Sequence, residues 1–84
     1  MNTNLDKEFK ESFHQVSALK ESLPPDLMLK LYAYYKQAIS GDIFSFEGEQ
    51  DVRNAFKFNA WTQLNGMPQD KAKQEYIRLA STIL

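Results

Sequence analysis

The stretch LYAYYKQAISGD, residues 31–42, decides the fold of this chain. Its apolar positions recur every three or four residues, which is the period of an α-helix and not that of a strand. Tyr32, Tyr35 and Lys36 are three and four positions apart, so they share one face of that helix, whereas Tyr34 points elsewhere. The stretch therefore predicts a helix that carries two aromatic rings and a cation along one side.

An apolar stripe with the same period precedes this stretch and predicts a first helix. Its members are Leu5, Phe9, Phe13, Val16 and Leu19. The segment ESLPPD then interrupts the pattern, because a residue before proline is driven out of the α region. Pro25 suits the first turn of the second helix. We expect the apolar stripe of this helix, which includes Met28, to face the core. The helix is expected to run to about Ser40, with Gly41 as a left-handed cap.

Two more helices are predicted after a loop of about ten residues, GDIFSFEGEQD, at positions 41–51. The core stripe of the third helix is expected to consist of Val52, Phe56, Ala60 and Leu64. The turn at Asn65 and Gly66 ends that helix, and Pro68 introduces a fourth. The fourth stripe is expected to consist of Ala72, Tyr76, Leu79 and Ile83. The pattern predicts an all-α four-helix bundle.

Composition supports one small domain over residues 1–84, because 84 residues with 43% hydrophobic content cannot comfortably form two. Cysteine is absent, which excludes disulfides, thiolate catalysis and cysteine-based zinc sites. The chain contains neither a signal-like apolar segment nor 18 successive apolar residues. We therefore expect a soluble cytoplasmic monomer without stable membrane insertion. A net charge of −1 argues against nucleic acid as the partner.

The aromatic and cationic side chains of the second and third helices suit a phosphate-bearing nucleotide. A tyrosine ring stacks on a base, its hydroxyl donates to phosphate, and Lys36 neutralises it. Arg53 and Lys57, four positions apart, supply further cations on the third helix. The residues alone leave an alternative open, in which the tyrosines are boundary residues of the core and the lysines are solvated.

The sequence resembles the acyl-CoA-binding protein family, whose core motif reads Tyr-x-x-Tyr-Lys-Gln-Ala-x-x-Gly-Asp. The chain matches that motif within LYAYYKQAISGDI. The resemblance continues through FHQVSALK, KFNAWTQLNGMP and AKQEYI in the same order. It implies an up-down-down-up bundle whose long loop crosses between the second and third helices. It also implies non-covalent binding and intracellular carriage of medium- to long-chain fatty acyl-CoA, possible delivery to acyl-CoA-using enzymes, and no cofactor or metal.

The resemblance assigns a ligand-binding role to five residues, namely Tyr32, Tyr35, Lys36, Lys57 and Tyr76. The first three would receive the adenosine 3′-phosphate part, Lys57 would add a second cation, and Tyr76 would close the site. The walls of the acyl groove would be formed by Phe9, Phe13 and Leu29. Ser17 stands where the family commonly has a basic residue, so it and Arg53 are weaker candidates for phosphate contact.

The sequence offers less support for two other classes of function. An enzyme finds little support, because His14 is the single histidine, no Gly-x-Ser-x-Gly elbow is present, and catalytic residues are therefore not expected. The alternating acids of the loop lack the EF-hand pattern and are interpreted as solvated; they are Asp42, Glu47, Glu49 and Asp51. A helical interaction module without a ligand is the second rival, with Tyr34, Phe44 and Phe46 as its exposed aromatic patch.

Overall fold

A computed structural model describes residues 3–19, 23–42 and 52–84, without the side chains of residues 3 and 52–54. These residues form four helices and no strand: α1 (Thr3–Leu19), α2 (Pro25–Ser40), α3 (Val52–Thr62) and α4 (Gln69–Ser81). The all-α prediction is confirmed. The loop predicted at 41–51 lies outside the described residues except for Gly41 and Asp42.

Helices α2 and α3 lie side by side and run in the same direction. The ammonium group of Lys57 on α3 is 5.4 Å from the ring centre of Tyr32 on α2. One turn further along both helices, the ammonium group of Lys36 is 5.0 Å from the ring of Trp61. Because these successive contacts move in the same direction along both helices, the two helix axes are parallel.

Helix α4 is antiparallel to α2 and parallel to α1. Gln69, at the start of α4, donates to the carbonyl of Ala38 near the end of α2 (3.1 Å). The contacts between α1 and α4 move in the same direction along both helices. Lys73 pairs with Asp6 at 2.6 Å, and Tyr76, one turn later, contacts Phe9. The order is therefore up-down-down-up, as the family resemblance implied.

The core lies where α1, α2 and α4 meet. Its buried members are Phe9, Val16, Leu31, Ala38, Ala72, Tyr76 and Ala80. Ala72 and Ala80 are fully buried on α4, and their small side chains let both neighbouring helices approach that face closely. The expectation for Met28 is wrong, because its side chain is 41% exposed.

The predicted core stripe of α3 is wrong at Phe56, whereas Ala60 and Leu64 are half-buried and the side chain of Val52 lies outside the described residues. Phe56 is 58% exposed, whereas Trp61 is buried. Helix α3 packs on α2. The side that faces α2 carries Lys57 and Trp61, each one position after a residue of the predicted stripe. The helix ends at Thr62 instead of Leu64, and tight turns through residue 66 follow.

A buried amide joins the ends of α2 and α3 to the turn before α4. Gln37 is fully buried and accepts a hydrogen bond from Trp61 Nε1 (3.1 Å). Its own Nε2 donates to Asp42 Oδ1 and to the carbonyl of Met67, both at 2.8 Å. Asp42 Oδ1 also accepts from the backbone N–H of Gly66 (2.7 Å). A buried polar group of this kind is favourable only because its partners are in place.

Gly41 ends α2 as the sequence predicted, although its backbone differs from a left-handed helical cap. Its φ of 74° is positive, but its ψ of −151° lies in a region that only glycine enters readily. Its N–H donates to the carbonyl of Gln37 (3.0 Å), and its own carbonyl accepts from Trp61 Nε1 (2.9 Å). The turn thus directs the chain out of α2 while keeping it on the Trp61 side.

Candidate functional site

A cavity of about 250 Å³ lies between α1 and α2. Its lining is almost entirely apolar or aromatic and consists of Phe13, Val16, Ser17, Leu23, Met28, Leu31, Tyr32, Tyr35 and Tyr76. Helix α4 packs against both α1 and α2, and therefore holds these two helices with a gap between them. The cavity is the apolar space left where α1 and α2 do not close on each other.

Two stacked rings, Phe13 and Tyr35, form one wall of this cavity, and Phe9 packs on Tyr35 without being one of the lining residues. The rings of Phe13 and Tyr35 stack with their centres 4.6 Å apart, and Phe9 lies on Tyr35 at 6.0 Å. Tyr76 meets Phe9 edge-on at 5.2 Å. Such offset and edge-to-face pairs stabilise beyond the area they bury. Four residues that the family resemblance assigned to the site are thus brought together by α1, α2 and α4.

The two lysines assigned to the site lie along the seam between α2 and α3, each over an aromatic ring of the other helix. Lys57 covers Tyr32, which lines the cavity, and Lys36 covers Trp61. Both lysines are only half-buried, so their ammonium groups keep contact with solvent and are available to an anion. A cation held over a ring in this way is attracted by about 0.5–1 kcal/mol.

Two cavity tyrosines have raised pKa values because they are buried. Burial, and to a smaller extent Tyr35, raises the pKa of Tyr76 to about 12. Burial also raises the pKa of Tyr32. Both hydroxyl groups are therefore protonated at neutral pH and are able to donate a hydrogen bond.

The remaining assigned residues divide into three cases. Ser17 is exposed and lines the cavity. Leu29 is half-buried on α2 but is not among the described residues that line it. The side chain of Arg53 lies outside the described residues.

Sequence reasoning did not assign four apolar lining residues to the site, namely Val16, Leu23, Met28 and Leu31. Val16 and Leu31 are also buried members of the core. Met28 had been placed in the core. Its position one turn before Tyr32, on the same face of α2, is the signal that could have assigned it to the cavity.

The features that supported rival functions have structural explanations in the described part of the chain. His14 is exposed and meets the edge of Phe13 at 5.9 Å. Tyr34 is half-buried and packs against the core, so it is not the exposed aromatic that an interaction patch requires. Asp42 is part of the Gln37 hydrogen-bond network, which corrects its interpretation as a solvated loop acid.

Among the described residues, no three acidic or histidine side chains converge as a metal site would require. The other expected loop acids and aromatics lie outside those residues; they are Phe44, Phe46, Glu47, Glu49 and Asp51. No helix in the described ranges has the length and apolar character needed to cross a membrane.

The fold and cavity define a class of protein: a small helical bundle that keeps an apolar, ligand-sized space between two of its helices. The family model of the acyl CoA binding protein matches residues 6–80. The chain is 35% identical over 77 residues to the acyl-CoA-binding protein of Saccharomyces cerevisiae, covering 90% of this chain and 88% of the yeast protein. This protein belongs to the acyl-CoA-binding protein family.

A solved structure supports the same conclusion, and part of a larger protein is also similar to this chain. The crystal structure of Oryza sativa acyl-CoA-binding protein 2 superimposes with a TM-score of 0.86 at 26% identity, covering 94% of this chain and 89% of the rice chain. Human enoyl-CoA delta isomerase 2 is 38% identical over 78 residues. The match covers 92% of this chain but 20% of the human protein, so this chain spans about a fifth of that relative. Membership of this family does not favour the alternative function, a helical interaction module without a ligand.

Proposed function

We propose that this protein binds fatty acyl-CoA esters without forming a covalent bond and carries them between sites of synthesis and use. In this role residues 1–84 act as one acyl-CoA-binding domain, in monomeric form, in the cytoplasm. It keeps an amphipathic, membrane-active metabolite available to enzymes that use acyl-CoA, and it makes or breaks no bond itself. Medium- and long-chain esters are the expected cargo.

The observation that carries this proposal is the position of an apolar cavity directly beside a pair of available cations. Tyr32 belongs to both features, because its ring lines the cavity and also lies beneath the ammonium group of Lys57. An acyl-CoA has the matching character, since its acyl chain is apolar and its nucleotide end carries phosphates. The acyl chain would occupy the space between α1 and α2, and the phosphates would lie toward the lysines on the α2–α3 seam.

Thermal unfolding with and without palmitoyl-CoA tests the proposal. A ligand that binds only the folded state stabilises it by about 2.7 kcal/mol at a free concentration one hundred times Kd. For a domain of this size each kcal/mol raises Tm by about 4–8 °C. Free CoA and free palmitate are the matched controls, and each should raise Tm much less than the thioester. Equal shifts with CoA and palmitoyl-CoA would contradict a role for the apolar cavity, and no shift with any acyl-CoA would contradict the function.

A further inference from the structure

The ring of Phe13 separates the cavity between α1 and α2 from a second, larger one. Phe13 and its stacking partner Tyr35 line both the 250 Å³ cavity and a neighbouring cavity of about 710 Å³. The lining of the larger cavity includes apolar side chains, among them Phe9, Ala38 and Ile39, as well as charged ones. Both cavities therefore offer apolar surface, and a pair of stacked rings stands between them.

The smaller cavity is limited on one side by the stacked rings of Phe13 and Tyr35. The neighbouring cavity beyond these rings is larger, at about 710 Å³ against about 250 Å³. A chain that enters beside Tyr32 and fills the cavity therefore ends against the stacked rings. Longer chains gain further apolar contact only if this wall opens.

Of the two stacked rings, Phe13 is the one whose removal opens the wall. Tyr35 is also supported by Phe9, whose ring stacks on it at 6.0 Å. The contact of Phe13 on its other side is the exposed His14, edge-on at 5.9 Å. Loss of the Phe13 ring thus joins the cavities and leaves Tyr35 supported.

We propose that Phe13 is a specificity-determining residue that limits the length of acyl chain this protein can bury. This inference rests on the proposed function and adds a property of this chain's own residues. Without the Phe13 ring, a longer chain passes from the smaller cavity onto the apolar side chains that line the larger one. Ile39, which is 47% exposed and lines the larger cavity alone, then becomes part of the site.

The test is a calorimetric titration of the wild type and of Phe13→Ala with acyl-CoAs from six to eighteen carbons. Wild-type affinity should rise with length and level off once the cavity between α1 and α2 is filled as far as the stacked rings. Phe13→Ala should bind short chains no better, but its affinity should continue to rise by up to about fourfold for each added methylene. Phe13→Leu, which keeps more apolar volume, should extend the rise to a smaller degree. Circular dichroism identifies variants that remain folded, and Phe13→Leu is the substitute if Phe13→Ala unfolds.

Ile39→Ala provides the matched control. If Phe13 has only a structural role, Ile39→Ala should have the same effect on affinity in the wild type and in Phe13→Ala. In the wild-type background Ile39→Ala should leave the length profile unchanged, since the acyl chain does not reach it. In the Phe13→Ala background it should reduce affinity for long chains alone. Equal losses at every length, or an unchanged plateau in Phe13→Ala and Phe13→Leu, would overturn this inference while leaving acyl-CoA binding intact. If the wild type binds no acyl-CoA, the proposed function falls and this inference falls with it.

Discussion

Single side chains at the α2–α3 seam combine two roles that are usually separate. Lys36 and Lys57 each lie over a ring of the neighbouring helix and so join the two parallel helices. The same ammonium groups remain partly exposed to solvent. Substituting one of them therefore changes both helix packing and the charge presented to a ligand, and an experiment must distinguish these effects.

The contribution of Lys36 to ligand binding can be isolated by changing protein and ligand together. If Lys36 meets the 3′-phosphate of CoA, Lys36→Ala should weaken palmitoyl-CoA binding by about 1.5–3 kcal/mol, the range for a hydrogen bond to a charged group. With palmitoyl-dephospho-CoA the same substitution should cost little, because that phosphate is already absent. The two changes form a double-mutant cycle measured by calorimetry. Additive losses would assign Lys36 to another part of the ligand or to helix packing alone.

A cation at position 17 should strengthen binding, because Ser17 is exposed and lines the cavity. Ser17→Lys should tighten palmitoyl-CoA binding by about 0.3–1 kcal/mol at low salt, as expected for a partly exposed charge pair. The gain should fade as salt is added, because mobile ions screen such pairs. Ala18→Lys, at the next exposed position of α1, adds the same charge outside the cavity lining. An equal gain at both positions would show a general effect of charge.

At the scale of helices, Asp42 connects the end of α2 to the turn before α4. Hydrogen bonds from the Gln37 side chain and from the backbone of Gly66 lower the pKa of Asp42 below its ordinary value of 3.8. Because the folded pKa is the lower one, this group adds stability above the unfolded value and loses that contribution as pH falls through the folded value.

The pH dependence of unfolding tests this connection. The free energy of unfolding of the wild type should fall as pH drops below 3.8, and Asp42→Asn should show a shallower fall. Asp26→Asn removes an exposed acid in the first turn of α2 and should keep most of the wild-type slope. Urea titrations between pH 2 and 7 measure both. Identical slopes for Asp42→Asn and the wild type would exclude the proposed linkage.

The helices were predictable because each has a periodic stripe and clear boundary residues. The bounds of α2 agree with the prediction at both ends, since Pro25 and Gly41 are strong local signals. The orientation of α3 was not predictable in the same way. Within the described ranges its extensive packing is on α2, and the polar partner of Trp61 is Gln37, 24 positions earlier in the chain. No local period reveals which side of a helix such a distant amide will bind.

The candidate site was only partly accessible to sequence reasoning. Spacing placed Tyr32, Tyr35 and Lys36 on one face, and the family resemblance supplied the role. The crossed pairing of lysines and rings depends on how α3 packs on α2. The exposure of Met28 at the cavity depends on how far apart α1 and α2 are held. That distance is set by the helix that comes last in the chain, α4.

For the molecule as a whole, α4 is the element on which both α1 and α2 depend. Helix α1 is fixed to α4 by the ion pair between Asp6 and Lys73 and by the packing of Phe9 on Tyr76. Its contact with α2 is made through the rings that border the cavity. A ligand between α1 and α2 would therefore add further contact between these two helices.

Hydrogen exchange of backbone amides should reveal this unequal support. In the free protein, amides of α1 should exchange faster than those of α4, because in the described ranges α4 packs extensively on both α1 and α2 whereas α1 packs mainly on α4. With palmitoyl-CoA bound, the protection of α1 should approach that of α4. Equal protection of the two helices before ligand is added would mean that α1 is not an independently opening unit.

The lysine that lies over Trp61 also gives the protein a built-in optical signal. Trp61 is the single tryptophan of the chain, it is buried, and its ring lies beneath the ammonium group of Lys36. The emission of an indole depends on nearby charge, so any ligand that draws Lys36 away from the ring changes the fluorescence of one defined residue. Occupancy of the site can then be followed by this emission, without a label, in mixtures where the acyl-CoA has no signal of its own.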